Sequence, residues 1–324
     1  MTTKGIRGSR VVVTGADGFI GRHLVRRLQS LDCDVTTVSE SETGLPDCRH
    51  VGADLTVDDA VKNWPWKADH VIHLAARSGG IQSQDQSGLI QANFSMTANT
   101  LKLASLAQAP SVFVASSAVV LEPPFDAGVL DENAQLVSPG SRWLSPYAWS
   151  KLTSEVQAFL WANRTGGRVV VGRLATVFGP GGSFATATSS VVHALIHRAL
   201  TTPVNDPLDV WGDGTPKRTF TYVGDAASAI VLLANASDRS MIVNISTTRG
   251  VSIGELAMMI AEGTGRDPRM LRFLVDRPSG PSNRELDSTR LQSMGFRPLM
   301  TVEDGIRSTI EAARVALNPK AGGM

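Results

Sequence analysis

"VVVTGADGFIGRHL", residues 11–24, joins a β-branched run to a helical pattern through a turn that carries Gly15, Gly18 and Gly21. Consecutive valines favour a strand. Beyond the turn, Ile20, Leu24, Val25, Leu28 and Leu31 recur at helical spacing. Glycines placed there let main-chain N–H groups approach an anion at the helix N-terminus, where aligned peptide dipoles favour negative charge. A ligand-free glycine turn would also fit the letters; strand, turn and helix in that order point to a pyrophosphate.

Outward from this unit, "DVTTV" 34–38 completes a βαβ motif. The rhythm repeats with "HVIHLAA" 70–76, a helix near 89–107, "SVFVASS" 111–117, a helix from about Tyr147, and "RVVVGRLATV" 168–177. Runs apolar on both faces, separated by helices, predict a parallel sheet covered on both sides. After "FGPGG" 178–182 the pattern changes to helical "SSVVHALIHRAL", a loop at 202–207, strand-like "LDVW", and helices near 225–236, 252–265 and 302–316. The expected fold is α/β: a Rossmann-like doubly wound parallel sheet over residues 1–177, with return segments roughly at 219–247. A smaller C-terminal α/β part spans 178–324. No internal repeat interrupts this order, and the tail "NPKAGGM" is expected to fray.

With 31 basic against 30 acidic residues, the chain has no electrostatic footprint for nucleic acid or an anionic membrane. Any anionic ligand must be met by local basic residues. Cys33 and Cys48 are the only cysteines, too few for a disulfide framework and not spaced as a metal or redox pair. The N-terminus lacks the apolar core of a signal peptide, and no apolar run is long enough to cross a bilayer. The expectation is a soluble cytoplasmic protein.

"SPYAWSK" 145–151 holds Tyr147, one of two tyrosines in the chain, with Lys151 four residues later. On a helix both side chains face one cleft. A cation beside a phenol favours phenolate, so the pair suits proton transfer to or from a carbinol. Ser116 and Ser117 end the run 111–117, at the sheet edge where open α/β sheets bind ligands, and one hydroxyl could bind the reacting oxygen. His193 and His197 have i, i+4 spacing but no accompanying glutamate or third ligand, so they are expected to line or flank a pocket, and no metal site is expected. After the second strand, Ser39 and Glu40 lean towards NAD, while Arg22 could reach the 2′-phosphate of NADP. That choice stays open.

Nearly the whole chain, from about Arg10 to Arg314, resembles the extended short-chain dehydrogenase/reductases that act on nucleotide sugars. The resemblance is carried by the glycine turn, "ADL" 53–55, "HLAA" 73–76, Asn93, "SSA" 116–118, "SPYAWSK", "RLATVFGPGG" 173–182, "VWGDGTPKRTFTYVGD" 210–225 and "RPSGPSNRELDSTRLQSMGFRP" 277–298. It implies NAD or NADP held by Gly15, Gly18, Phe19, Ile20, Gly21, Arg22 and Ser39. Asp54 and Leu55 would border the adenine, Leu74, Ala75, Ala76 and Asn93 the middle of the cofactor, and Lys151 the nicotinamide ribose. Ser117, Tyr147 and Lys151 would form the catalytic set. A nucleoside-diphosphate sugar would meet Arg77, Ser78, Thr176, Ser190, His193, Val210 and Trp211, with Arg218 and Arg277 on its diphosphate. Homodimers of such proteins use two helices per subunit, here those near 89–107 and 147–163.

Within the family, "RSGGI" 77–81 and the stretch from "SSVVHALIHRAL" through "NDPLDVWGDGTPKR" resemble the GDP-L-fucose synthases, which epimerise and then reduce a 4-keto-6-deoxy sugar. Ala118 and Ser190 stand where those enzymes carry the epimerising Cys and His. Ala118 and Val119 likewise lack the acids that 4,6-dehydration needs. The resemblance therefore implies a 4-ketoreductase, with a 4-epimerase recycling bound NAD as the alternative and a non-catalytic dinucleotide-binding protein behind both.

Overall fold

The computed structural model describes residues 5–78, 87–124, 128–184, 189–235, 239–247, 249–277 and 280–317. Strand β1 (Arg10–Thr14) leads into α1 (Phe19–Gln29), β2 (Asp34–Ser39), β3 (Arg49–Gly52) and β4 (His70–His73). Next come α2 (Ser87–Leu106), β5 (Ser111–Ser117), β6 (Val129–Leu130), α3 (Pro146–Thr165), β7 (Arg168–Leu174) and β8 (Thr176–Phe178). They are followed by α4 (Val191–Thr201), β9 (Leu208–Trp211), β10 (Lys217–Arg218), β11 (Phe220–Tyr222), α5 (Val223–Asn235) and β12 (Met241–Ile245). The last elements are β13 (Val251–Ser252), α6 (Ile253–Thr264), β14 (Leu271–Leu274), β15 (Asn283–Leu286), α7 (Thr289–Ser293) and α8 (Val302–Leu317).

Seven strands form one parallel sheet in the order β12, β7, β5, β4, β1, β2, β3. Successive strand residues face opposite sides. Val11 and Val13 therefore join Leu24, Leu28, Ile230 and Leu233 beneath α1 and α5, while Val12 joins Val71, Leu103, Val112 and Trp161 beneath α2 and α3. Two covered faces explain why these strands read as unbroken apolar runs. The chain leaves β1 for β2 and β3 on one side and returns to β4 on the other, opening a crevice at the carboxyl ends of β1 and β4.

Local differences from the sequence reading have local causes. The apolar run 70–76 stays in the sheet only to His73, because its partner β1 ends at Thr14, opposite His73. The run 168–177 splits at Ala175: its N–H still donates to the Ile245 carbonyl at 3.0 Å, but β8 then leaves to pair with β11. Strand β3 was not expected; "RHVG" is short and only half-buried, and pairing with β2 makes it a strand.

Helices α4, α6 and α8 enclose a second core around Leu195, Ile196, Leu256, Ile260, Ile306 and Ile310. A four-stranded sheet in the order β13, β10, β15, β6 and the parallel pair β9 with β14 complete this part. The two parts exchange segments. Beyond α5 and β12, Leu291 of α7 and Phe296 also belong to the first core, whereas β6 crosses to pair with β15. Among the described residues, no helix is long and apolar enough to cross a membrane.

Candidate active site

The glycine turn is closely packed. Gly15 has φ of 68°, and a Cβ there would stand 2.6 Å from the Ala75 nitrogen. A Cβ on Gly21 would stand 2.3 Å from the Gly15 carbonyl oxygen. Gly18 opens α1 with no side-chain cap and no acid in the first turn, so the positive end of the helix faces outward at an exposed glycine. Phe19, Ile20 and Arg22 lie in that first turn, with Leu74 and Ala75 against the loop. Gly15→Ala should cost roughly 1–2 kcal/mol for the left-handed conformation alone. It should also raise the dinucleotide Kd by at least about tenfold, since each 1.4 kcal/mol of distortion is a factor of ten; titration calorimetry measures it.

Ser39 is buried at the end of β2, and the exposed Glu40 after it meets Arg77 at 3.6 Å. Arg77 therefore reaches from beyond β4 across the glycine turn to the edge of β2. Asp54 is exposed and accepts from the Thr56 N–H and hydroxyl at 2.8 and 2.7 Å, which hold its carboxyl below the usual range. Leu55 differs from expectation: its side chain is buried in the core beneath α2, leaving only its main chain near the rim. Both ends of the Asn93 amide are occupied, accepting from Arg77 N–H at 2.7 Å and donating to the Arg77 carbonyl and Ser150 hydroxyl at 3.0 and 2.9 Å. Asn93 thus ties the Arg77 segment to α3. Ser78 is exposed, and the remainder of "RSGGI" lies outside the described residues.

Ser145 caps α3 by accepting from Ala148 N–H at 3.1 Å, Pro146 occupies the first helical position, and Gly166 at φ 72° ends the helix. These three residues place Tyr147 in the first turn and Lys151 one turn on. The Lys151 ammonium is buried and donates to the Ala115 carbonyl at 2.9 Å, which fixes it at the carboxyl end of β5. Its nitrogen stands 5.8 Å from the centre of the Tyr147 ring. Burial pushes Lys151 down to about 8 against the opposing pull of Glu155. Burial pushes Tyr147 up to about 12, opposite in direction to the lowering expected of the pair.

The structure separates the two serines. Ser116 is buried and donates to a Glu155 carboxylate oxygen at 2.5 Å. Ser117 is half-exposed and accepts only a long 3.4 Å contact from Val119 N–H, leaving its hydroxyl proton to donate elsewhere. Beneath them Arg173 grips Glu155 through two nitrogens at 3.0 and 2.8 Å. His73 is also buried, touching Thr14, Thr100 and Thr97 at 2.8, 3.0 and 3.1 Å; burial and then Lys151 push it down to about 3, so it is neutral. His73, Glu155 and Arg173 were all missed in the sequence, although His73 and Arg173 are polar residues near the carboxyl ends of apolar strands and Glu155 lies one turn beyond Lys151.

In the second sheet, Arg218 of β10 lies in register with Arg284 of β15, so two guanidinium groups share one sheet face; Arg218 also donates to the Lys217 and Pro281 carbonyls, each at 2.6 Å. Burial and the neighbouring charge push Arg218 down to about 10. Burial likewise pushes Arg284 down to about 10, with partial relief from Glu122. The buried Nε of Arg284 and Oε2 of Glu122 have no hydrogen-bond partner. Arg277, expected beside Arg218, is instead exposed near Asp209. Of the remaining expectations, Thr176 is half-exposed at the start of β8 and Trp211 is 37% exposed at the end of β9. Val210 is wholly buried in the second core and presents no side chain to a ligand. His193 is buried too, its ring nitrogens held by the Gly179 carbonyl at 2.9 Å and the Ser190 hydroxyl at 2.8 Å. It braces α4 against the 179–182 loop and has no nitrogen left for a substrate.

A phosphate cradle and a Ser–Tyr–Lys set on one edge of a doubly wound sheet define an NAD(P)-dependent enzyme. The sequence pattern of the NAD dependent epimerase/dehydratase family matches residues 11–246, and the chain belongs to that family. It is 28% identical to a GDP-L-fucose synthase of Sinorhizobium fredii, over 94% of this chain and 95% of that one. It is 29% identical to a dTDP-4-dehydro-6-deoxy-D-allose reductase of Streptomyces bikiniensis, over 92% and 94%. Among solved structures, UDP-glucose 4-epimerase of Thermus thermophilus in complex with NAD superposes with a TM-score of 0.80 at 27% identity, covering 95% of this chain and 99% of that one.

Proposed function

We propose that the protein reduces the 4-keto group of a nucleoside-diphosphate 4-keto-(6-deoxy)hexose. One observation carries the reading: Ser117, Tyr147 and Lys151 gather at the end of β5, while the positions that would epimerise hold Ala118, which is buried, and Ser190, whose hydroxyl is engaged by His193. When bound, the nicotinamide supplies the hydride. Ser117 donates a hydrogen bond to the carbonyl oxygen, Tyr147 delivers the proton, and Lys151 holds the ribose and balances the charge left on the phenol. Arg218 and Arg284 hold the diphosphate. Similarity to ketosugar reductases supports this assignment.

A 4-epimerase that recycles NAD in place is the second reading, favoured by the likeness to a UDP-glucose 4-epimerase. Denaturing freshly purified protein and quantifying released dinucleotide by mass spectrometry separates the two. A reductase should retain little cofactor and oxidise NADH or NADPH when given 4-keto sugars. Near-stoichiometric NAD⁺ with no such oxidation overturns the reductase.

A second copy of the chain is the proposed partner. Phe94 on α2 and Val156 and Leu160 on the adjoining α3 are 45%, 52% and 62% exposed, an apolar strip on two packed helices. Leu160→Glu should convert a dimer to a monomer by light scattering; a dimer of unchanged mass would show that the interface lies elsewhere. Two free thiols suit a reducing cytoplasm as the place of action.

A further inference from the structure

The buried carboxylate beneath the catalytic pair has no part in the steps above. Glu155 follows Lys151 by one helical turn and Tyr147 by two, so all three share a face of α3. One carboxylate oxygen accepts from the Ser116 hydroxyl at 2.5 Å and the Arg173 Nε at 3.0 Å; the other accepts from the second guanidinium nitrogen at 2.8 Å. Arg173 and Glu155 side chains are 2% and 5% exposed, and Arg173 also donates to the Glu132 carbonyl at 3.1 Å. The carboxylate thereby bolts α3 to two neighbouring strands of the sheet, β5 and β7, beside the carbonyl that receives Lys151.

We propose that Glu155 is a positioning residue for the reaction: its carboxylate, fixed by Ser116 and Arg173, sets α3 against the end of β5 and keeps Lys151 charged beneath Tyr147. The inference rests on the reductive role of that pair. Burial alone works against an ammonium, and Glu155 is the carboxylate that opposes it. Of the groups nearby, Arg173, from β7, is the cation that pairs with Glu155 and offsets part of its charge. His73, from β4, is neutral, and Asn93 and Thr97, from α2, carry no charge. The Glu132 carboxylate is taken by the Asn244 N–H at 2.9 Å and by Arg290 at 3.5 Å. The contact also explains why Ser117 and not Ser116 is available to a substrate.

The sign is fixed. A carboxylate raises the pKa of a neighbouring ammonium and of a neighbouring phenol, so its loss lowers both, whichever of the pair gives up its proton first. Glu155→Gln should therefore move the alkaline limb of kcat about one pH unit towards acid. Glu155→Gln leaves a buried guanidinium unpaired, so Glu155→Gln/Arg173→Met, which removes both charges, is made beside it. There the shift should run in the same direction but be smaller, because loss of the Arg173 cation offsets part of the loss of the carboxylate.

A second readout needs no sugar. The chain has two tyrosines, so in a Tyr222→Phe background the ultraviolet titration reports Tyr147 alone. With NAD⁺ bound, its midpoint should fall in Glu155→Gln, fall less in the double variant, and stay in place in Ser116→Ala, which keeps the carboxylate and its arginine. A folded Glu155→Gln variant with the parental midpoint overturns the role of Glu155. Failure to find a ketosugar substrate would instead count against the proposed reaction and leave this titration readable.

Discussion

Tyr147→Phe should lower kcat by about a hundred- to ten-thousandfold, the range for losing a positioned general acid, with KM for the sugar nearly unchanged. Phenylalanine keeps the ring that lies 5.8 Å from the Lys151 nitrogen and deletes only the hydroxyl. Fold and dinucleotide affinity should therefore survive, and the loss can be assigned to the proton. Because burial holds the phenol protonated, up to about 12, the wild-type residue keeps its proton for donation across the neutral range. Lys151, pushed down to about 8, is the group that should set the alkaline limit: activity is full while it is an ammonium and falls as pH rises through that value. Steady-state assays from pH 6 to 9 would check both points, and turnover within a few-fold of wild type in the variant would sink the proposed mechanism.

Arg284→Ala should weaken nucleotide-sugar binding by roughly 10- to 150-fold, because a hydrogen bond to a charged group is worth about 1.5–3 kcal/mol. The effect should fall on KM, since the residue lies on the second sheet, away from Tyr147. Arg284→Lys should recover only part of it, as a point charge lacks the guanidinium fork. Arg277→Ala should change little. The contrast follows from placement: Arg284 is half-buried in register with Arg218 and has an orphaned Nε, whereas Arg277 is exposed beside Asp209. Calorimetric binding of a nucleoside diphosphate measures all three, and a larger loss from Arg277→Ala would reverse the assignment.

These two residues show where sequence reading stops. Tyr147 was legible because Ser145, Pro146 and Gly166 are local signals that set the helix and its phase. Arg284 was not, because the pairing of β10 with β15 joins residues 66 positions apart, and nothing along the chain fixes that register. For the same reason Val210 and Leu55 were expected at a ligand yet lie in cores: which face of a short strand or turn is covered depends on helices that arrive from elsewhere.

Sequence alone determined the parallel sheet, its covering helices, the glycine cradle and the Tyr147–Lys151 pair, because each rests on periodicity or on backbone freedom within a few residues. Tertiary structure alone decided that Ser116 is engaged while Ser117 is half-exposed, that Arg218 stands in register with Arg284, and that His193 is a brace. Those outcomes turn on hydrogen bonds and burial between distant segments. Ser116 and Ser117 are chemically identical neighbours until Glu155, from another element, claims one of them.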